Sequence, residues 1–490
     1  MCRPKETQRL TSDPILQNKS QGGGHFLPVI SLAEAYAWVI LAARARRVTC
    51  PRWRSALGVW EQLGSSTFPE FLIPVMQVCR GGLLSQTKMA LEQCSPKNDS
   101  TPVSRSDSQG VAVVGGSAAG LFTASLLTRR GVPVRVFERI ETLDPAPRTL
   151  IVTECMRDLL GCVSEGFILN KIRRFELFTD GRAATITLKH PDLIIERRAL
   201  IQGLAREAQQ TGATLELGHR FHALHSNGRG LVLEVERCAD GKREEVHADA
   251  IVGGDGASSR VARAAGWEPL ETVPLVQAIV PLPKDMPPDT ARIWFIPQDT
   301  PYFYWLIPES STRGVLGLIG ETGPETRRHL EQFLEKRKLD PIEFQGARIP
   351  IYTRWVPVRR QVGQGSVYLV GDAAAQVKVT TVGGIVAGFR GALGVAEAIL
   401  NGGTSRVLRT LRRELDLHLL LRRSLRDFQQ SDYSRLVDLL NHPAKQLLGE
   451  YSRDEAWKIL WRICLRQPRL VLLGLRGLLL RSRSFRQPPQ

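Results

Sequence analysis

Residues 110–139 read GVAVVGGSAAGLFTASLLTRRGVPVRVFER, and the fold is decided in this stretch. Val111 to Val114 are a short apolar run, which suits a strand buried on both faces. Small residues from Gly115 to Gly120 then turn the chain into a second apolar run that closes at Gly131, as a helix would. VPVRVFER reads as another strand, so the unit is strand, helix, strand. The turn approximates GxGxxG through Gly115, Ser117 and Gly120, with Ala119 beside the last glycine. That spacing lets backbone N–H groups approach a pyrophosphate at a helix N-terminus. Ser117 stands at the middle glycine position and is small enough to keep the approach open. Glu138 closes the second strand, 18 residues after Gly120, where a carboxylate binds both ribose hydroxyls of an adenosine.

Two further strand-end acids lie far downstream. ADAIVGGDGASS places Asp255 and Gly256 after an apolar run, and VYLVGDAAAQVKVTTVGGIVAGFRGA places Gly371 and Asp372 after another. Three acid-and-glycine clusters along one chain suit an extended ligand whose far half needs its own hydroxyl partner. FAD has that half, a ribityl chain and an isoalloxazine ring. The pattern resembles the flavoprotein hydroxylase-like superfamily. Within it, GDAAAQVKVTTVGGI closely resembles GDAAGQVKPTTGGGI of the geranylgeranyl reductase family. Ala375, Val379 and Val382 depart, standing for Gly, Pro and Gly. Phe303-Tyr304-Trp305-Leu306-Ile307-Pro308 approximates that family's aromatic YxWxFP motif, and Arg197, Leu200 and Leu204 match its RxxLxxxL element. EYSRDEAWKIL and LRQPRL in the C-terminal region are also similar. The resemblance runs from about residue 110 onward and does not reach the first hundred residues.

The resemblance implies an α/β fold: a Rossmann-like FAD-binding domain of the glutathione reductase type 2, hydroxylase-like kind, an antiparallel β substrate domain and a helical C-terminal region. Residues 109–190 are expected to form the first part of the FAD-binding domain, 191–272 the part with the DG motif, 273–357 the antiparallel-sheet substrate domain, 358–402 the part with the GD motif, and 403–490 the helical region. It implies that Gly115, Ser117, Ala119, Gly120, Glu138, Arg139, Arg148, Arg197, Phe221, Asp255, Gly256, Gly371, Asp372, Gly383, Gly384 and Ile385 bind FAD. Asp372 would bond the ribityl hydroxyls, and Gly383, Gly384 and Ile385 would aim a helix start at the flavin pyrimidine. Phe303, Trp305 and Pro308 would meet the substrate. Trp305 also reads as an ordinary core aromatic of a sheet. Lys378 is expected to be a solvated loop cation.

The expected activity is reduction of C=C bonds in an isoprenoid or other lipid-like substrate by hydride transfer from reduced flavin. A flavin monooxygenase hydroxylating an apolar substrate shares the scaffold, and a flavin- or lipid-binding protein without turnover is the third reading. No second GxGxxG is evident, so the reductant, NAD(P)H or a ferredoxin-like donor, is expected to be transient. The active-site cysteine motif of archaeal lipid reductases is not evident either; Cys155 lies instead in PAPRTLIVTECMRDLLG.

Composition bounds the rest. The chain has 490 residues, eight cysteines without a CxxC pair, and a net charge of +17. The scattered thiols predict neither a disulfide framework nor a metal site, and they suit a cytoplasmic protein. No apolar run approaches the roughly 18 residues of a membrane span. The positive charge concentrates late: eight Lys or Arg and no acid follow Glu455. There Trp457, Leu460, Trp461 and Cys464 share one helical face. This pattern suits a helix lying peripherally on the inner membrane surface and equally a helix packed on the body; it does not suggest nucleic acid. Pro468 predicts two helices rather than one rod. Residues 1–108 read as an N-terminal extension, partly disordered and dispensable, with helices only around Leu32 to Arg44 and Pro69 to Cys79.

Overall fold

The computed structural model of the protein describes residues 109–484 apart from position 229. The expectations for residues 1–108 lie outside the described residues.

The strand–helix–strand unit is Val111–Val114, Ala118–Thr128 and Val134–Glu138. Val111–Val114 is buried along its whole length, because both faces of its sheet are covered. That sheet has six strands, in the order Arg359–Val362, Gly365–Leu369, Ala250–Gly253, Val111–Val114, Val134–Glu138 and Thr214–Leu217. All neighbours pair in parallel except the edge strand Arg359–Val362, which is antiparallel. On one side Ala118–Thr128 packs against Ile385–Leu400, with Phe122 and Phe389 edge to face at 5.1 Å. Small residues permit the approach: a Cβ on Gly388 would lie 3.4 Å from Gly371 Cα and 3.7 Å from Ala119 Cβ.

The second sheet has eight strands, in the order Glu343–Pro350, Thr272–Pro281, Arg313–Ile319, Tyr304–Pro308, Thr290–Trp294, Ile168–Thr179, Arg182–Glu196 and Thr149–Val152. Residues 149–196, in the ranges expected for the FAD-binding domain, supply three strands of this sheet, joined to the rest by the parallel pairing of Arg174 with Thr290. Within 273–357, read as sheet throughout, the helix Gly323–Arg337 intervenes. It covers one face of the sheet, where Leu330, Phe333 and Leu334 meet Ala278, Tyr304, Leu306 and Leu316. A three-stranded antiparallel sheet, His219–Ser226, Leu231–Arg237 and Arg243–Ala248, completes the β structure.

After Asn401 the chain is helical: Arg406–Leu425, Gln430–Leu439, His442–Glu450, Ala456–Arg466 and Pro468–Ser484. The last two are separate helices, broken at Gln467, because Pro468 has no N–H to continue the first. Mixed α/β architecture with a helical C-terminal region is thus as the sequence predicts.

Candidate functional site

The site begins at the first turn. Gly115 has φ +102°, a left-handed value that glycine adopts without strain, and a Cβ there would meet Gly254 O at 2.6 Å. The two glycine turns are therefore in backbone contact. Ser117 caps the helix Ala118–Thr128, its Oγ accepting from Gly120 N at 3.2 Å. Its small size is thus combined with a capping role. Glu138 Oε2 accepts from Gly116 N at 2.6 Å, and Oε1 from Ile140 N at 3.1 Å. A Cβ on Gly116 would lie 3.2 Å from that carboxylate, so only glycine leaves the strand-end acid beside an open turn.

Asp372 lies half-buried at the other end. Burial pushes its carboxyl up, and the charges of Arg148 and Arg197 act in the opposite direction. Arg148 is pushed down to about 10 by burial and then by Arg197, with Asp372 opposing. Arg197, also lowered mainly by burial, feels Asp372, Glu196 and Glu138. These residues thus form one electrostatic group between the first turn and Asp372. The buried Arg148 Nε has no hydrogen-bond partner. Two neighbouring guanidiniums and an orphaned N–H are the arrangement an anionic or polyhydroxyl ligand completes.

Beyond Asp372 the chain makes a tight turn and enters the helix Ile385–Leu400. Gly384 is its N-cap and supplies no side-chain cap, so no side chain covers the first backbone N–H groups. A Cβ on Gly384 would lie 3.1 Å from Asp372 Oδ1, which ties the helix start to the acid. Ala375 and Val382 both have φ +51°. They are two of the three positions that depart from the family motif, and each holds a left-handed backbone that glycine adopts more readily.

Other candidates fall elsewhere. Asp255, read as a partner for ligand hydroxyls, is engaged by its own turn: it accepts from Ser259 Oγ at 2.5 Å, Arg260 N at 2.7 Å and Val261 N at 3.2 Å. Gly256, at φ +86°, shapes that turn. Arg139 is exposed, and the Phe221 side chain is buried in the core, so neither joins the arginine–aspartate group.

The large sheet supplies the opposite wall. Trp305 and Ile307 are buried in one apolar cluster with Ile172, Ile194, Ala291 and Ile319, and Val377 and Val382 of the flavin-motif turn belong to the same cluster. Phe303 packs there edge to face on Trp305 at 6.2 Å. A Cβ on Gly317 would lie 2.5 Å from the indole, so the ring lies across that glycine. Trp305 Nε1 is buried without a partner. Strand alternation places Pro308 with Tyr304 and Leu306, on the face covered by Gly323–Arg337. It does not share the Trp305 face, which revises its reading as a substrate contact.

Lys378 is the clearest correction. It is 5% exposed and its Nζ is paired with Asp454, which also accepts from Thr153 Oγ1. Burial alone would raise the Asp454 carboxyl; Lys378, Arg390 and these hydrogen bonds hold it well below the usual carboxylate range. Arg390 pairs with Glu414, Arg453 with Asp192 at 2.5 Å, and His418 Nδ1 meets Thr380 Oγ1 at 2.7 Å. Burial pushes the Cys155 thiol up to about 11, with Asp454 adding to it. Three cations and three acids thus form a charge-balanced cluster behind the turn. Sequence reading missed it because the pairs span as many as 261 residues. Its traces in the quoted stretches are Lys378, Arg390, Arg453 and Asp454, with nothing local to join them.

These features fit FAD: an acid beside an open glycine turn, paired arginines, a second acid, and an uncapped helix start. The comparisons agree. The FAD binding domain family matches residues 108–401. The chain belongs to this family, as an FAD-dependent oxidoreductase, and it is similar to geranylgeranyl reductases. It is 29% identical over 303 residues to digeranylgeranylglycerophospholipid reductase 2 of Methanothermobacter thermautotrophicus, covering 56% of this chain and 73% of the relative. It is 26% identical over 310 residues to geranylgeranyl diphosphate reductase of Synechocystis, covering 59% and 75%. Its fold is that of a geranylgeranyl bacteriochlorophyll reductase-like protein from Thermoplasma acidophilum, with a TM-score of 0.64, 18% identity, and coverage of 75% of this chain and 98% of the other.

Proposed function

We propose that the protein reduces C=C bonds of an isoprenoid or other lipid-like substrate, bound FAD supplying the hydride from its reduced ring. The observation that carries this reading is the apolar wall shared by the large sheet and the turn through Val377 and Val382. A polyprenyl chain is recognised by burying its methylenes, each worth about 0.8 kcal/mol. Glu138 and the turn from Gly115 to Gly120 hold adenosine and pyrophosphate, and Arg148 and Arg197 offset negative charge along the ligand. Asp372 accepts from the ribityl hydroxyls. The uncapped start of Ile385–Leu400 presents N–H groups and a positive dipole end to the pyrimidine side. Phe303 and Trp305 wall the substrate, and the orphaned indole N–H offers a donor to its polar end.

We further propose that electrons arrive from a transient donor, NAD(P)H or ferredoxin-like, and that the last two helices rest on an anionic bilayer. Leu465 and Leu472 are exposed beside exposed Arg466 and Arg469, while Leu473 and Gly477 pack inward. Among the described residues no helix is long and apolar enough to cross a membrane.

The test is anaerobic reduction of FAD-loaded protein, followed by addition of a geranylgeranyl lipid. Flavin reoxidation without oxygen, with a saturated product by mass spectrometry, supports the proposal. Reoxidation only after oxygen is admitted, with a hydroxylated product or peroxide, replaces it with monooxygenase chemistry. Turnover in neither arm leaves a binding protein.

A further inference from the structure

The chain sets a lysine and an aspartate against each other directly behind the flavin turn. Lys378 opens the turn and bridges to Gly383 in antiparallel fashion, with Lys378 N donating to Gly383 O at 3.2 Å. Its Cε lies 3.9 Å from the position a Cβ would take on Gly383. The lysine stem therefore runs beneath the residues that start Ile385–Leu400, and its ammonium adds positive charge where that helix already has its positive end. Asp454, 5% exposed and 76 residues further along, meets the ammonium and also accepts from Thr153 Oγ1. Burying either charge alone costs several kcal/mol, so the pair is retained as a unit. The pair lies against the Gly383 side of the site, where the far half of the ligand is placed above.

We infer that Lys378 and Asp454 are an opposed pair of positioning residues that sets the electron affinity of the bound flavin, Lys378 favouring the reduced ring and Asp454 holding that effect in check. The inference rests on the flavin site proposed above. The same pairing links the C-terminal segment to the turn, so the lysine charge is compensated only when that segment is docked. Arg390 and Glu414, and Arg453 and Asp192, are matched within the cluster, so neither adds a net charge that would mask the pair.

Charge placement makes the sign specific. Removing the acid leaves the lysine uncompensated beside the ring, and the potential rises. Removing the lysine takes away the positive charge that its stem carries beneath the helix start, and the potential falls. Looser packing alone would move both variants the same way.

The experiment measures FAD affinity by fluorescence titration of the apoprotein and midpoint potential by spectroelectrochemistry, for the wild type, Asp454→Asn, Lys378→Met and the double variant. Wild-type protein that takes up no FAD refutes the flavin site itself. With FAD bound, the expected result is opposite shifts in the single variants, each corresponding to about a tenfold change in the preference for reduced over oxidised flavin, or about 30 mV for two electrons. The double variant should return towards the wild type. Loss of FAD by either single variant that the double variant restores also supports the pair. Shifts of one sign, no shift, or FAD loss in all three variants overturn it while leaving the FAD site standing.

Discussion

His418 gives the chain a calculable sensitivity to acid. Its ring is 3% exposed, Nδ1 is engaged by Thr380, and Nε2 is buried without a partner. Burial, with Lys378, Arg390 and Arg453 adding repulsion, lowers it from 6.5 to about 3; Asp454 acts the other way. A histidine whose folded value is depressed favours folding while it is neutral. Its contribution is present above the unfolded value and is lost as pH falls from about 6.5 towards 3. Over that window the unfolded chain takes up a proton that the folded one refuses, at 1.36 kcal/mol per pH unit. From pH 7 to pH 5 the loss is therefore about 2 kcal/mol. Urea unfolding of the wild type and of His418→Gln at each pH isolates this, because Gln keeps a hydrogen bond to Thr380 and does not titrate. Asp192 and Glu414, raised by burial, act in the opposite sense and cancel in the comparison. The variant should lose about 2 kcal/mol less stability on acidification between pH 7 and 5. Parallel stability–pH curves for the two proteins would refute the claim that this ring is buried neutral.

Glu138→Ala removes a charged acceptor, about 1–3 kcal/mol, so the FAD dissociation constant measured by titration should rise roughly 5- to 150-fold. Gly384→Val places a branched side chain against Asp372 and should lower flavin content in purified protein, with secondary structure by circular dichroism unchanged; normal flavin content would show that the helix start lies away from the ring. Full-length protein should sediment with anionic vesicles at low salt and less at high salt, and Arg466→Glu with Arg469→Glu should reduce that binding at about 1 kcal/mol per charge. Equal binding to neutral vesicles would favour helices that serve only to pack on the body.

Local geometry was legible and distant pairing was not. The strand, turn and helix at 111–128 follow from apolar runs and small residues adjacent in sequence, and the structure keeps them within a residue or two. Glu138 was legible because a strand end fixes where its carboxylate points. The strands at 168–196 were not read from the sequence, because their place depends on pairing Arg174 with Thr290, which no local pattern encodes. Lys378 was read as solvated because its partner lies 76 residues away. Pro308 is different: strand alternation alone separates it from Phe303 and Trp305, so the signal was present in the motif. For Asp255 the sequence did not show that the carboxylate would also serve its own turn through Ser259.

The discontinuity of the parallel sheet bears on how the protein is made. Val111–Val114 lies between Ala250–Gly253 and Val134–Glu138, and Gly365–Leu369 joins only beyond Ala250–Gly253. The nucleotide turn leaves the ribosome early, yet Asp372 follows much later and the acid that pairs with Lys378 later still. At about 5–20 residues per second, tens of seconds separate the first half of the cofactor site from the second. Throughout that interval the nascent chain exposes the apolar edge of an unfinished sheet and has no complete place for FAD. A complete cofactor site therefore exists only once the chain has been made past Asp372.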